Sequence, residues 1–108
     1  MDNFQKKFVE EATDLINTLE RALLSLEKTP KDANLINEVF RVMHSLKGGG
    51  AMFGFEAISS FTHNLENIYD LIRNNQIQLN QDILSITFAS VDLLRTLLDK
   101  SEQNINSV

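Results

Sequence analysis

The sequence contains no cysteine, one proline and four glycines among its 108 residues. The lack of cysteine excludes disulfide bonds and thiolate metal sites, and it fits a reducing compartment. Because proline is so scarce and three of the glycines are adjacent, few positions remain for the turns of β-hairpins. We therefore expect an all-α chain with the length of a single domain, covering residues 1–108.

Basic charge and long hydrophobic runs are also scarce. The net charge of −5 argues against a nucleic-acid partner, because a protein of that class needs a concentrated basic face. No run of about 18 apolar residues occurs, so we expect no membrane insertion. The amino terminus lacks the pattern of a secretory signal, and the predicted location is cytoplasmic.

Apolar residues recur at steps of three and four in four segments, which predicts four amphipathic helices. The predicted helices cover about residues 3–28, 33–53, 56–74 and 80–100. Pro30 separates the first two, and Gly54 separates the second from the third. Short connections between helices of this length predict an up-down antiparallel four-helix bundle.

The apolar positions of these helices define a predicted core. The stripe on the third helix consists of five residues: Ile58, Phe61, Leu65, Ile68 and Ile72. The stripe on the first helix begins at Phe4, and Thr87 lies beside the stripe on the fourth. Other phenylalanines, including Phe40, are expected to be core residues by default.

The stretch MHSLKGGGAMFGFE, residues 43–56, places three glycines inside the second predicted helix. Each glycine costs about 1 kcal/mol relative to alanine in a helix interior, so the run needs a reason. Because the apolar stripe stays in phase up to Phe53, we predict that the helix continues through residues 48–50 and breaks at Gly54. The alternative is that the glycines end the helix early.

Polar side chains flank the predicted core beside these glycines. If the chain reverses around Gly54, residues on the second and third helices pair when their numbers sum to about 108. This pairing puts His44 at the same height on the bundle as His63 and Glu66. Lys47 lies one turn nearer the loop, on the same strip as His44.

This grouping predicts a nucleophilic histidine. A carboxylate that accepts the Nδ1 proton of an imidazole leaves Nε2 as the free nucleophile, and Glu66 is placed to do this for His44. Lys47 would supply positive charge beside a phosphoryl group on that nitrogen. Small residues beside the imidazole would let a bulky partner approach. We assign four residues to this docking face: Gly48, Gly49, Gly50 and Arg41.

The stretch FRVMHSLKGGGAMFGFEAISSFTHNLENIYD resembles the histidine phosphotransfer (HPt) family, most closely the amino-terminal phosphotransfer domain of chemotaxis histidine kinases of the CheA type. The motif is H-S-x-K-G-G, then F-G-F, then T-H-x-x-E, and the resemblance extends through the first helix. It implies that His44 accepts a phosphoryl group on Nε2 while Glu66 holds Nδ1. It also implies that Lys47 and His63 assist and that Gly48 permits close approach.

The same resemblance implies partners. A separate histidine kinase catalytic domain would use ATP and Mg²⁺, whereas this domain alone is not a kinase and holds no cofactor and no metal. An aspartate on a response regulator receiver domain, similar to CheY or CheB, would then take the phosphoryl group. The resemblance further implies an excised amino-terminal module of a protein-histidine kinase, with a fifth helix missing after the bundle.

Three alternatives are kept. The first is a stand-alone HPt module of a hybrid phosphorelay, and the second is a non-catalytic helical adaptor that binds other proteins. The third is a metal-binding bundle that uses two histidines and a glutamate. The metal alternative is the weakest, because the paired Glu-x-x-His motifs of ferritin-like bundles do not occur and Lys47 would repel a cation.

Overall fold

The computed structural model describes the backbone of residues 2–106 and the side chains of residues 2–101. Four α-helices occupy most of this range: α1 Asn3–Lys28, α2 Ala33–Met52, α3 Glu56–Arg73 and α4 Gln81–Asn106. Each helix packs on the next, and α4 returns to pack on α1. This arrangement confirms the predicted four-helix bundle. Helix α4 continues past the predicted end near residue 100, and a fifth helix would lie outside the described residues.

Side chains cap the amino ends of three helices. Asp2 begins α1, Asp32 begins α2 and Asn80 precedes α4, and each accepts a hydrogen bond from a backbone N–H in the first turn. These bonds satisfy donors that have no partner inside the helix. Helix α3 has no side-chain cap. Instead, the backbone N–H of Phe55 donates to the carbonyl of Gly50 at 2.7 Å, which ties the start of α3 to α2.

Helix α2 runs without interruption through its three glycines to Met52, which confirms the prediction that they do not end it. The break comes at Gly54, whose φ of 84° lies in the left-handed region that other residues rarely adopt. His44 therefore lies in the middle of a continuous helix.

The core draws on all four helices and differs from the predicted stripes in particular places. On α3 the fully buried residues include Thr62 and Tyr69, whereas the predicted core residues Phe61 and Ile68 are half-buried. The stripe was defined by apolar residues alone, so it missed polar side chains whose hydroxyl groups find partners inside the bundle. At the start of α1, Phe4 is 72% exposed and stacks on Phe53 at the rim of the bundle.

A buried polar pair joins α3 to α4. The Tyr69 hydroxyl lies 2.8 Å from Thr87 Oγ1, and Thr87 Oγ1 donates to the Ile83 carbonyl at 2.7 Å. Since the single hydroxyl proton of Thr87 goes to Ile83, Tyr69 is the donor in the pair. Burial raises the pKa of Tyr69 to about 12 despite the hydrogen bond with Thr87, so the phenol stays neutral near pH 7.

No helix within residues 2–106 combines the length and hydrophobicity that a membrane crossing requires.

We expect the two substitutions of the buried pair to differ in cost. Thr87→Val leaves the Tyr69 hydroxyl buried without a partner and should lower the free energy of unfolding by about 1–3 kcal/mol. Tyr69→Phe leaves Thr87 bonded to Ile83 and should cost only about 0.5–1.5 kcal/mol. The double variant should lose less than the sum of the two. Urea denaturation measures all three, and additive costs would show that the two hydroxyls do not interact.

Candidate functional site

Three of the predicted site residues meet between α2 and α3. Glu66 Oε2 lies 2.7 Å from His44 Nδ1, and Glu66 Oε1 lies 2.6 Å from Lys47 Nζ. One carboxylate therefore bridges a histidine and a lysine that lie one turn apart on α2. The Glu66 side chain is only 8% exposed, whereas the His44 side chain is 66% exposed. The site thus consists of an exposed imidazole held from beneath by a buried carboxylate.

The contact with Glu66 fixes the proton of the neutral imidazole. An ionised carboxylate can only accept hydrogen bonds, so the proton lies on Nδ1 of His44 and the Nε2 nitrogen keeps its lone pair. Within the described residues, Nε2 has no hydrogen-bond partner. The geometry therefore presents a free, nucleophilic nitrogen on the exposed side of the ring.

The charge of Glu66 is maintained by its two partners. Burial by itself would raise the pKa of this carboxyl, but the hydrogen bonds from Lys47 and His44, together with the positive charge of Lys47, hold the pKa below its usual value. Glu66 is consequently ionised at neutral pH. A buried carboxylate of this kind is tolerated because both of its oxygens are bonded.

Two further predicted residues lie near the site without joining its hydrogen bonds. His63 is exposed one turn before Glu66 on α3, and Arg41 is exposed one turn before His44 on α2. Neither side chain takes part in a hydrogen bond or ion pair within the described part of the chain. The assisting role of His63 and the docking role of Arg41 stay predictions.

The three glycines lie in different surroundings, and their common docking role stays a prediction. Gly48 is exposed, and a Cβ added there would meet nothing within 4 Å. A Cβ at Gly49 would lie 2.6 Å from Cε1 of Phe8 on α1. Gly49 therefore lets the Phe8 ring pack against α2, while Gly48 alone leaves open surface beside His44.

Gly50 is buried and faces α3, and its docking role stays a prediction. A Cβ there would lie 3.1 Å from the Phe55 carbonyl oxygen and 3.2 Å from the Ser59 backbone nitrogen. The apolar stripe of α2 is in phase at Gly50, so the sequence indicates its inward direction. The contact of Gly49 with Phe8 depends on how α1 is rotated against α2, and no spacing rule predicts it.

Phe40, which shares the strip of His44 on α2, and Arg73 on α3 form a stack that the predicted site did not include. The ring of Phe40, expected in the core, lies nearly parallel to the His44 imidazole with centroids 6.2 Å apart. Cζ of Arg73 lies 3.8 Å from the centre of the Phe40 ring, and Arg73 Nε donates to Asp70 at 2.7 Å. Arg73 lies two turns after Glu66 on the same strip of α3, and that spacing was the signal available in the sequence.

The described part of the chain contains no set of side chains that could bind a metal ion. No three histidine, aspartate or glutamate side chains there are grouped as a metal ion would require.

Known proteins resemble this chain over nearly its whole length. The Hpt domain family matches residues 4–104. Chemotaxis protein CheA of Bacillus subtilis (strain 168) is 37% identical over 91% of this chain. The chain spans only 15% of the length of that relative.

Two solved structures share the fold. The CheA phosphotransferase domain from Thermotoga maritima has a TM-score of 0.86 at 39% identity, covering 93% of this chain and 97% of that one. The phosphorylated P1 domain of CheA3 in complex with CheY6, from R. sphaeroides, has a TM-score of 0.89, covering 96% of this chain and 81% of that one. Its identity of 23% makes this second likeness one of fold alone.

The lowered pKa of Glu66 predicts a pH-dependent contribution to stability. A carboxyl whose pKa is lower in the folded state stabilises the protein above its unfolded pKa and loses that contribution as the pH falls through the folded pKa. Glu66→Gln cannot ionise. The difference in the free energy of unfolding between wild type and Glu66→Gln should therefore shrink as the pH falls below 4.5, the ordinary pKa of a glutamate carboxyl. Urea denaturation at each pH measures it, and a constant difference would contradict the assignment.

Proposed function

The chain belongs to the Hpt domain family, and we propose that it is the phosphoacceptor module of a chemotaxis histidine kinase, with His44 as the residue that carries the phosphoryl group. The observation that supports this role most directly is the Glu66 carboxylate, which holds Nδ1 of His44 and leaves Nε2 free on the surface. The curated relative in Bacillus subtilis is a chemotaxis protein, and we extend that role to this chain as part of the proposal.

Phosphorylation would begin with the Nε2 lone pair of His44. It attacks the γ-phosphorus of ATP held with Mg²⁺ by a separate kinase domain, a Nε2–P bond forms and the P–O bond to ADP breaks. The proton on Nδ1 stays in place, so the substituted ring gains positive charge as it bonds to phosphorus. The Glu66 carboxylate, 2.7 Å from Nδ1, offsets that charge from a fixed position.

Lys47 would stabilise the charge of the phosphoryl group. Its ammonium carries three donors, one of which is bonded to Glu66 Oε1. The other two are available to phosphoryl oxygens one turn away on the same strip of α2. Because Lys47 is held by the carboxylate that also holds His44, its charge is positioned before the phosphoryl group arrives.

The surface around Nε2 of His44 is open enough for a partner protein to approach. His44 is largely exposed, and Gly48 lies one turn further along the same face with open space where a side chain would be. An active site that carries either ATP or an aspartate can therefore come close to the imidazole.

The second step would pass the phosphoryl group to a response regulator. An aspartate oxygen of a receiver domain attacks the phosphorus, the Nε2–P bond breaks and an acyl phosphate forms on the receiver. The R. sphaeroides structure holds a P1 domain together with CheY6, and the shared fold makes a receiver domain the class of partner that we propose here.

His44→Gln should abolish incorporation of radioactive phosphate from ATP in the presence of a CheA-type kinase core, because the nucleophilic nitrogen is removed. The matched control is His63→Gln, the other histidine of the chain, which should retain labelling at a reduced rate. The label on wild type should be lost in acid and stable in base, as expected for a phosphohistidine. Labelling of His44→Gln at the wild-type level would refute the proposal, and failure of wild type to label at all would favour the helical adaptor.

Glu66→Ala should slow labelling of His44 without abolishing it, since Glu66 fixes the proton but does not form the new bond. We expect a decrease in the initial rate of roughly 10- to 100-fold, the equivalent of a hydrogen bond to a charged group. The control is Glu56→Ala, which removes an exposed carboxylate from the first turn of the same helix. Equal rates for the two variants would show that Glu66 has no role in the reaction.

A further inference from the structure

We propose that Gly50 and Ser59 are positioning residues, which set the separation of α2 and α3 at which one carboxylate can bond both His44 and Lys47. The inference rests on the proposed function only for its consequence in the rate of phosphorylation. Its structural part concerns the protonation of His44 and needs no kinase for its test.

The first observation is the contact of backbone with backbone at Gly50. A Cβ at this position would meet the Phe55 carbonyl oxygen at 3.1 Å and the Ser59 backbone nitrogen at 3.2 Å. Neither atom can move aside by a side-chain rotation, so a Cβ at this position must displace the two backbones from one another by a few tenths of an ångström. The 2.7 Å hydrogen bond from the Phe55 N–H to the Gly50 carbonyl confirms that the two chain segments touch.

The second observation is a hydrogen bond that reaches the site itself. Ser59 Oγ donates to the backbone carbonyl of Lys47 at 2.9 Å. Ser59 and Glu66 lie two turns apart on the same strip of α3. Helix α3 therefore holds Lys47 twice, with Ser59 at its backbone and Glu66 at its ammonium group.

The two hydrogen bonds of Glu66 depend on the separation of α2 and α3. Its two contacts measure 2.6 and 2.7 Å, and a hydrogen bond is lost when the distance between the heavy atoms approaches about 3.5 Å. A separation of a few tenths of an ångström would lengthen and weaken both contacts of the carboxylate. Release of His44 would let its proton move between the two ring nitrogens. The fraction of molecules with the proton on Nε2 would then lack the nucleophile.

The test compares two glycines of the same helix. Gly50→Ala and Gly48→Ala make the same chemical change and both favour the helix, but only Gly50→Ala places a Cβ against another backbone. The ¹⁵N chemical shifts of the imidazole nitrogens report where the proton lies, measured at about pH 9, where ordinary imidazoles are neutral. His63, which lies outside the hydrogen bonds of the site, is the internal reference.

In wild type we expect His44 to show one tautomer, with the proton on Nδ1. Gly48→Ala should keep that tautomer, and Gly50→Ala should give a mixture in which Nε2 is partly protonated. Ser59→Ala should shift the population in the same direction by less, because it removes a hydrogen bond without adding volume. In the kinase assay, Gly50→Ala should label up to about 10-fold more slowly than wild type, because a displacement of a few tenths of an ångström is smaller than the misplacement of about 1 Å that costs about 100-fold.

Ser59→Ala keeps the test decisive if Gly50→Ala does not fold, which circular dichroism would show. The inference would be overturned if His44 kept its wild-type tautomer in Gly50→Ala and Ser59→Ala, or in whichever of the two variants folds. That result would leave the proposed function intact, because labelling of wild type and loss of labelling in His44→Gln do not depend on it. Conversely, a shifted tautomer in a protein that never labels would uphold the positioning role and refute the phosphoacceptor role.

Discussion

The structure of the site depends on one buried carboxylate that has to be satisfied at both oxygens. Glu66 lies beneath the surface, where an ionised group is unfavourable unless it is bonded. His44 and Lys47 on α2 provide the two bonds, so α2 and α3 must lie close together at this height. The absence of a side chain at Gly50 allows the two helices to come this close. Gly50 lowers the intrinsic stability of α2 as an isolated helix. It also permits the close packing in which both oxygens of the buried Glu66 carboxylate are bonded.

The reactive groups of the site and the buried hydroxyl pair lie on different pairs of helices. Helices α2 and α3 carry the titratable groups of the site, with their hydrogen bonds close to the surface. Helices α3 and α4 are joined by the Tyr69 and Thr87 hydroxyls, which are fully buried. Helix α3 takes part in both, presenting Glu66 and Tyr69 within one turn of each other. Its rotation is therefore fixed from two sides, which suits a helix that must place a carboxylate to within a fraction of an ångström.

Periodicity predicted the four helices, and a simple register argument brought Glu66 to the height of His44 and Lys47. Both methods count residues along a helix, and both succeed where the helix is regular. They failed where the outcome depends on the rotation of one helix against another. This explains why Phe61 and Ile68 were placed in the predicted core although they are half-buried. The stack of Arg73 on Phe40 was missed because spacing places Arg73 on the same strip of α3 as Glu66 but does not show that it contacts an aromatic ring on α2.

The uninterrupted course of α2 through residues 48–50 has a consequence for how a signal could be carried. His44 lies in mid-helix, so it has no adjoining loop that could rearrange when the ring is modified. A phosphoryl group adds a charge of about −2. On such a support we expect it to alter the electrostatic surface while the backbone stays as it is. The domain would then carry the phosphoryl group on a rigid backbone. A partner would distinguish the phosphorylated from the unphosphorylated form by its charge.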